Sequence, residues 1–227
     1  MAVIKLNVMK VSVNNMSVRV FVRAAGLDFE ETEVYGATRT PEFLARNPAH
    51  LTPMIEVDGL PRRALWESCA IMSYLCNEHG LTQFYPTDPK KRAMIDSAMF
   101  YIIGTLYPLV SRATYEVLKF AQYPGEVGWS DADEPAKAAA RQHAKDAIAE
   151  PLDVFHKFYM DGRFIGGDTP SIADIRLSAT LEFLAAVDYP LPQWATDYMK
   201  LMETTLGDAY SEPANDVRGY IGWVRTQ

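Results

Sequence analysis

The fold is decided by the stretch Leu51-Thr52-Pro53-Met54-Ile55-Glu56-Val57-Asp58-Gly59 and, shortly after it, Leu65-Trp66-Glu67-Ser68-Cys69-Ala70-Ile71. The pattern predicts a strand that starts after the proline, a turn at Asp58-Gly59, a second strand and a helix that begins at Glu67-Ser68. A serine at a helix N-terminus offers a hydroxyl, free backbone N–H groups and the positive end of the helix dipole to a carboxylate. The adjacent Glu67 can face an ammonium group. The stretch therefore predicts a site for an amino-acid-like head group.

Residues 1–84 alternate between strand and helix patterns. The predicted strands are 3–9, 29–34 and the two strands of the hairpin around Asp58-Gly59, and the predicted helices are 17–25, 41–46 and 67–79. Gly26 and Gly80 follow two of these helices as C-terminal caps. The resulting order, β-α-β-α-β-β-α, is that of the thioredoxin-like fold, so we expect an α/β domain of that architecture.

A proline-rich segment at 85–89, Tyr85-Pro86-Thr87-Asp88-Pro89, separates this domain from the rest of the chain. Prolines fix φ and disfavour helix in the preceding residue, which makes the segment a stiff linker. Residues 90–227 are predicted to form an all-helical domain, because apolar residues recur at helical spacing. Two such series are Met94, Ala98, Met99, Ile102, Ile103 and Leu106, and Ala144, Ile148, Leu152, Phe155 and Tyr159. Turn formers and acids at 123–133 predict a loop between two long helices.

A second motif lies at Ser171-Ile172-Ala173-Asp174. Ser171 is placed to cap a helix, and Asp174, three residues later, can accept a hydrogen bond from the backbone N–H of the cap residue. The residues that follow are apolar nearly all round, which predicts a helix buried in the middle of the helical domain. The motif is therefore interpreted as structural rather than catalytic.

The proline before the hairpin, the Glu67-Ser68 pair and the later capping box together resemble the glutathione transferase family. The resemblance covers nearly the whole chain and points to the serine-type, bacterial theta-like members. It implies a cis-proline at Pro53, a thioredoxin-like domain packed on an all-helical domain, glutathione as co-substrate and a homodimer. It also implies an enzyme that attacks a small hydrophobic electrophile with the glutathione thiolate, in conjugation, dehalogenation or peroxide reduction.

The candidate chemistry lies in the first turn, Lys10-Val11-Ser12-Val13-Asn14-Asn15-Met16-Ser17. In serine-type transferases a hydroxyl in this turn donates a hydrogen bond to the sulfur of glutathione, and the resemblance assigns that role to Ser12. Such a donor is needed because the thiolate is the nucleophile, and a hydrogen bond to the charged sulfur lowers the thiol pKa. Asn14 can add a second donor through its amide. The alternatives are that these residues form only a turn and a helix cap, or that Ser17 is the donor.

The resemblance assigns two further sets of residues. The glutathione site comprises His50, Thr52, Pro53, Glu67 and Ser68. The electrophile pocket comprises Tyr107, Arg112, Tyr115 and Trp223.

Two positions depart from the family pattern. Leu51 stands where a Lys or Gln commonly holds the glycine carboxylate of glutathione, and Gly104 stands where an acid often meets the γ-glutamyl ammonium across the dimer. Candidate substitutes for the missing cation are His50, Arg62 and Arg63. These departures favour an alternative function, a glutathione-transferase-like adaptor that does not bind glutathione and acts through a protein partner. The first turn and the Glu67-Ser68 pair favour the enzyme.

Net charge, the start of the chain and the lengths of its apolar runs limit the binding partners and cellular locations that we expect. The formal net charge is −7 and the pI is near 5.1, without a long basic run, which argues against a nucleic-acid or anionic-membrane partner. The start of the chain lacks the pattern of a secretory signal, and no apolar run approaches the roughly 20 residues that span a bilayer. We therefore expect a cytoplasmic protein.

The cysteines, histidines and tyrosines exclude other chemistries. Cys69 and Cys76, the only cysteines, are spaced for one helix rather than for a disulfide framework, and Cys69 is interpreted as a packing residue. The histidines have no metal-like spacing, so no metal is expected. No tyrosine precedes Tyr35 and no cysteine lies in the first turn, which removes the tyrosine-type and cysteine-type transferases.

Overall fold

Four strands form one mixed sheet in the order β2-β1-β3-β4 in the computed structural model, which describes residues 3–120, 133–160, 162–165 and 167–227. The strands are β1 (Ile4–Val8), β2 (Phe29–Glu33), β3 (Met54–Glu56) and β4 (Ala64–Trp66). β1 and β2 are parallel, and β3 pairs antiparallel with both β1 and β4. The helices among these strands are α1 (Val13–Ala24), α2 (Pro41–Arg46) and α3 (Ser68–His79). This arrangement confirms the thioredoxin-like prediction.

Two local predictions in this domain differ from the structure. Helix α1 begins at Val13 rather than at residue 17, because Val13, Asn15 and Met16 are buried and this burial outweighs the turn preference of the two asparagines. The two strands of the hairpin are separated by residues 57–63, which include a short 3₁₀ turn at Pro61–Arg63, rather than by a tight two-residue turn.

The second part of the chain is helical throughout its described elements, as predicted. Its helices are α4 (Pro89–Tyr101), α5 (Tyr107–Thr114), α6 (Glu134–Ala147), α7 (Ala149–Val154), α8 (Ile172–Glu182), α9 (Gln193–Leu206) and α10 (Asp208–Val224). Wider π-type turns at Ile102–Leu106 and Phe155–Tyr159 follow α4 and α7. The loop predicted at 123–133 lies outside the described residues except for Asp133, which caps α6. The proposed division into 1–84, 85–89 and 90–227 stays a prediction.

Residues Pro89–Thr114 form one continuous helical run, which by length and apolar composition alone could cross a membrane. The sequence contains no uninterrupted apolar run of this length, because polar residues such as Asp96 and Ser97 interrupt the apolar residues of this helix. The core helix of a soluble protein passes the same test. In this run Ile95, Ala98 and several later residues are buried, and α4 packs against α8.

Helix α8 lies at the centre of the helical domain, because every residue from Ile172 to Glu182 is buried. Its capping box is complete. The Asp174 carboxylate accepts hydrogen bonds from the backbone N–H groups of Ile165 and Ser171 at 2.8 Å and from the Tyr198 hydroxyl at 2.7 Å. Burial raises the pKa of Asp174, and these hydrogen bonds oppose the rise. One buried carboxylate therefore satisfies donors from three parts of the domain.

Helix α1 joins the two domains. It packs against α3 of the α/β domain and against α8 and α10 of the helical domain. Arg19, only 3% exposed, pairs with Glu31 of β2 at 2.9 Å and with Asp216 of α10 at 2.8 Å. The first turn of α1, which carries the candidate chemistry, is consequently held from both domains.

Replacing Asp174 should destabilise the protein more than the loss of an ordinary cap. In Asp174→Ala, four buried donors lose their acceptor, namely the backbone N–H groups of Ile165 and Ser171 and the hydroxyls of Ser171 and Tyr198, so we expect the free energy of unfolding to fall by about 3–5 kcal/mol. The matched control is Asp168→Ala, an exposed residue six positions earlier, whose effect should stay within about 0.5 kcal/mol. Thermal or denaturant unfolding measures both, and an equal effect of the two substitutions would contradict the structural role of Asp174.

Candidate functional site

Three chain segments meet at one end of the sheet. Met54, at the start of β3, pairs with Asn7 of β1 on one side and with Trp66 of β4 on the other. The residues after β1, before β3 and after β4 therefore lie side by side. These segments are the first turn at 9–12, the Thr52-Pro53 loop and the N-terminus of α3.

Ser12 occupies the N-cap position of α1, with extended backbone angles of φ −97° and ψ 131°. Its side chain is half-buried and makes no capping hydrogen bond. The helix thus leaves the hydroxyl available, unlike a serine that serves only as a cap. Ser17, the alternative donor, is buried within α1 and donates to the carbonyl of Asn14 at 2.8 Å.

Asn14 connects the first turn to the helical domain. Its Nδ2 donates to the Tyr107 hydroxyl at 2.8 Å, and its Oδ1 accepts from Nη2 of Arg176 at 2.5 Å. The Tyr107 hydroxyl is also hydrogen-bonded to the Tyr115 hydroxyl at 2.5 Å. The structure therefore brings together one residue of the predicted catalytic pair and two residues of the predicted electrophile pocket.

Asn15 ties the first turn to the proline loop. Its fully buried amide accepts from the backbone N–H of Met9 at 3.2 Å and donates to Oγ1 of Thr52 at 3.1 Å. The Thr52-Pro53 peptide is cis, as the resemblance implies, and Pro53 is buried. Thr52 is consequently fixed beside the first turn.

Glu67 and Ser68 open α3. Glu67 is the N-cap residue, with an exposed side chain that makes no capping hydrogen bond and with backbone angles of φ 73° and ψ 112°. A non-glycine residue at positive φ is strained, and such strain is concentrated at functional sites. Ser68 is buried at the first helical position. The N–H groups of this first helical turn lie at the helix N-terminus where the sequence predicts a carboxylate-binding site.

The loop before Thr52 carries the position where the sequence departs from the family pattern. Asn47 is fully buried and shapes this loop by donating to the Leu51 carbonyl at 2.8 Å and accepting from the backbone N–H of Ala49 at 3.1 Å. His50 is half-buried with φ 48°, next to the site segment at Thr52.

Arg62 and Arg63, the other candidate substitutes for the missing cation, follow β3 in the chain and contact other groups. Arg63 pairs with Asp58 at 2.5 Å, and Arg62 donates weakly to the Ala45 carbonyl at 3.5 Å. Of the proposed substitutes for the cation, His50 is therefore the one directly adjacent to the proline loop.

Aromatic rings continue from Tyr115 toward the C-terminal helix. Phe120 lies 5.4 Å from Tyr115 in an edge arrangement and stacks on Tyr220 at 5.6 Å. Tyr220 contacts Trp223 at 5.7 Å between ring centroids, and Trp223 is 54% exposed. Trp223 thus lies at the open end of this series. Arg112 lies on α5 and is half-buried.

The cysteines are free thiols with little thiolate character. Burial raises the pKa of Cys69, and the neighbouring Arg176 guanidinium opposes that rise only in part. Burial also raises the pKa of Cys76 to about 12. Both observations agree with packing rather than reactive cysteines. Within the described residues, no group of three or more His, Cys, Asp and Glu side chains could hold a metal ion.

Sequence reasoning missed Arg176 and Asn15. The sequence pattern of α8 is interpreted from its apolar residues alone, although an arginine on a helix buried all round requires internal partners. That mismatch is the available signal for Arg176. Asn15 has the local pattern of a turn residue, and nothing in its sequence neighbourhood points to a bond with Thr52.

Both domains match sequence models of one family. Residues 2–77 match the glutathione S-transferase N-terminal domain, and residues 138–203 match the glutathione S-transferase C-terminal domain. Together the two models cover more than half of the chain.

Known proteins agree with these matches. The chain is 29% identical to glutathione S-transferase D6 of Drosophila melanogaster over 188 residues, which cover 81% of this chain and 78% of the relative. Its structure resembles a delta-class glutathione transferase of Nilaparvata lugens, with 25% identity, a TM-score of 0.76 and coverage of 97% of this chain and 99% of the other. It also resembles the glutathione transferase BmGSTD1 of Bombyx mori in complex with GTT, with 26% identity, a TM-score of 0.76 and coverage of 100% and 99%. The fold, the assembled site and the matches of both domains lead to one conclusion: the chain belongs to the glutathione S-transferase family.

Proposed function

We propose that this glutathione S-transferase is of the serine type, with the Ser12 hydroxyl donating a hydrogen bond to the sulfur of bound glutathione. The observation that carries the proposal is that Ser12 lies at the N-terminus of α1 with a side chain that makes no capping hydrogen bond. A donor aimed at the sulfur stabilises the thiolate over the thiol, and the positive end of the α1 dipole acts in the same direction. Asn14 is the proposed second donor.

The reaction is attack of the thiolate on a small hydrophobic electrophile such as an organohalide, an epoxide or a peroxide. The thiol proton leaves to solvent when glutathione binds. With an organohalide, the sulfur lone pair forms a carbon–sulfur bond while the carbon–halogen bond breaks, and the halide leaves with the bonding electrons. The enzyme accelerates this step by supplying the ionised nucleophile at neutral pH and by holding the two reactants together.

Glutathione is proposed to bind across the three segments at the end of the sheet. The N–H groups at Ser68 suit the γ-glutamyl carboxylate, and Glu67 suits the adjacent ammonium. The backbone of Thr52, next to cis-Pro53, suits the extended peptide. His50 is proposed to face the glycine carboxylate in the role that Leu51 cannot fill. The proposed electrophile pocket is lined by Tyr107, Arg112, Tyr115 and Trp223.

A homodimer is also proposed, on the basis of the outer side of α4 and the turn that follows it. Phe100 is 69% exposed near the end of α4, and Met94, earlier in the same helix, is 38% exposed. Ile103 and Gly104, three and four residues after Phe100, are half-buried and exposed. Large apolar side chains exposed on one helix are typical of a surface that another chain covers.

A cytoplasmic location completes the proposal. The only two cysteines, Cys69 and Cys76, lie on one helix rather than in a disulfide framework, which is compatible with a reducing compartment. Recovery of the protein in a fraction other than the cytosol of its source cells would contradict this location.

Replacing Ser12 should separate thiol activation from binding. In Ser12→Ala, the pKa of enzyme-bound glutathione should rise and turnover should fall roughly 10²–10³-fold, because one donor to a developing charge is lost while the head-group contacts remain. Ultraviolet difference titration of the bound thiolate measures the pKa. Ser17→Ala is the matched control and should leave the titration curve unchanged. If only the Ser17 variant shifted the curve, the assignment to Ser12 would be wrong.

Calorimetric titration with glutathione and with S-hexylglutathione tests the function as a whole. We expect dissociation constants between micromolar and millimolar, equivalent to about −8 to −4 kcal/mol, with tighter binding of the hexyl conjugate if its apolar tail enters the aromatic pocket. Ser68→Ala should weaken both ligands while sparing kcat, because a contact equal in ground and transition states changes KM alone. If neither ligand binds at millimolar concentration, the proposal of an enzyme is wrong. The alternative function, an adaptor that acts through a protein partner, would then have to be considered, although the comparisons do not support it.

Sedimentation at micromolar concentration tests the dimer. The wild-type protein should sediment at twice the mass of the chain, and Phe100→Glu should shift it toward the monomer, because a charge would be buried at the interface. Phe158→Glu, which changes another exposed phenylalanine, serves as the control. A monomeric wild-type protein would refute the dimer.

A further inference from the structure

Arg176 is buried in an unusual setting. Its side chain is 1% exposed at the centre of α8, directly behind the first turn of α1. Nη1 donates to Oγ1 of Thr180 at 2.6 Å, and Nη2 donates to Oδ1 of Asn14 at 2.5 Å. The guanidinium carbon lies 4.8 Å from the centre of the Tyr107 ring. All of these partners are neutral groups.

The guanidinium therefore carries its charge without a counter-ion in the described part of the chain. A buried arginine is normally paired with a carboxylate, because desolvation of an unpaired charge costs several kcal/mol. Here no carboxylate of the described residues pairs with it, and its Nε is buried without a hydrogen-bond partner. Contact with the Tyr107 ring offsets part of the cost. What remains is a positive potential beneath the candidate site.

The neighbouring thiol does not neutralise this charge. Cys69 is close enough to Arg176 for the guanidinium to lower its pKa, but burial raises that pKa by more, so the group stays protonated at neutral pH. No anionic side chain among the described residues therefore pairs with the Arg176 guanidinium. An anion bound at the first turn would be its natural complement.

Arg176 also determines the orientation of Asn14. A guanidinium can only donate hydrogen bonds, so the oxygen of the Asn14 amide must face it. The amide nitrogen then faces the other way, where one N–H is donated to the Tyr107 hydroxyl. The second N–H has no acceptor among the described residues. Asn14 is thus held as a donor on the side of the site, with its dipole aligned by a buried charge.

We propose that Arg176 is a positioning residue for thiol ionisation, which acts by holding the Asn14 amide as a donor and by supplying an unpaired positive charge behind it. The inference rests on the proposed function, since the anion that it serves is the glutathione thiolate. Within a buried site an uncompensated charge acts over several ångströms with little screening. Neither the first turn alone nor the family motifs contain this residue, because it comes from the helical domain.

The test compares charge-removing and charge-retaining variants of the full-length protein. Arg176→Met and Arg176→Gln remove the charge, and the methionine leaves no buried polar atom that would oppose folding. Arg176→Lys keeps the charge. The matched control is Ser178→Ala, which changes another buried residue of α8 whose hydroxyl donates to the Ile175 carbonyl. Thermal unfolding establishes which variants are folded at the assay temperature.

The measured quantity is the pKa of bound glutathione, from ultraviolet titration of the thiolate at saturating glutathione. Loss of the charge should raise this pKa by about one unit, equivalent to roughly tenfold less thiolate below the midpoint. Arg176→Lys should recover most of the shift, and Ser178→Ala should leave the wild-type value. The pH profile of kcat/KM should move in parallel.

Each other result has a distinct meaning. If the folded Met and Gln variants titrate like the wild type, Arg176 serves packing alone, and the inference is overturned while the proposed function stands. If the lysine variant shifts as far as the methionine variant, the charge is not the cause, and the inference is again overturned. If wild-type protein does not bind glutathione, or binds it without lowering its thiol pKa, the proposed function fails and the role of Arg176 fails with it.

Discussion

The structure depends on the burial of α1 from two sides. Val13 and residues 15–22 of this helix are buried, because α3 of the α/β domain and α8 and α10 of the helical domain pack against it. A helix enclosed in this way has little freedom to rotate or slide, since interiors are close-packed. The first turn is fixed because it belongs to this helix, and the hydrogen bond from the buried Asn15 amide holds Thr52 against it. The position of the candidate donor at Ser12 is thus a result of packing rather than of the turn itself.

The residues of the candidate site come from both domains. The α/β domain contributes the proline loop and the N-terminus of α3 to the candidate site. The helical domain supplies the rings of Tyr107 and Tyr115 and the charge of Arg176. In the first turn of α1, Asn14 is hydrogen-bonded to Tyr107 and Arg176, and the next residue, Asn15, is hydrogen-bonded to Thr52 of the proline loop. The candidate site consequently lies where the two domains meet, and neither domain contains all of its residues.

The sequence predicts the parts of this arrangement whose chemistry is local. The Glu67-Ser68 helix start and the capping box at Ser171 each lie within a few residues, so their patterns are readable and the structure confirms them as structural elements. The turn at Asp58-Gly59 is only part of a longer connection, residues 57–63, which includes the 3₁₀ turn at Pro61–Arg63. The predicted start of α1 is too late, because burial of Val13 competes with local turn preference. Arg176 escapes prediction because its partner, Asn14, is distant in sequence. The spacing of apolar residues predicts local helices and strands, and it does not predict a contact between two residues so far apart in the chain.

The apolar core has a consequence for how the protein unfolds. The larger cluster of buried apolar residues runs from Ile4 in the first strand to Val224 at the end of α10 and spans both domains, whereas a smaller one, Val34, Phe43, Met54 and Ala64, lies within the α/β domain. Cutting the chain at the proline linker would therefore expose the apolar face of α1 on one fragment and that of α8 on the other. Because the two domains share this core, we expect them to unfold together rather than one at a time. The predicted boundary at residues 85–89 would then divide the chain's architecture without dividing its unfolding.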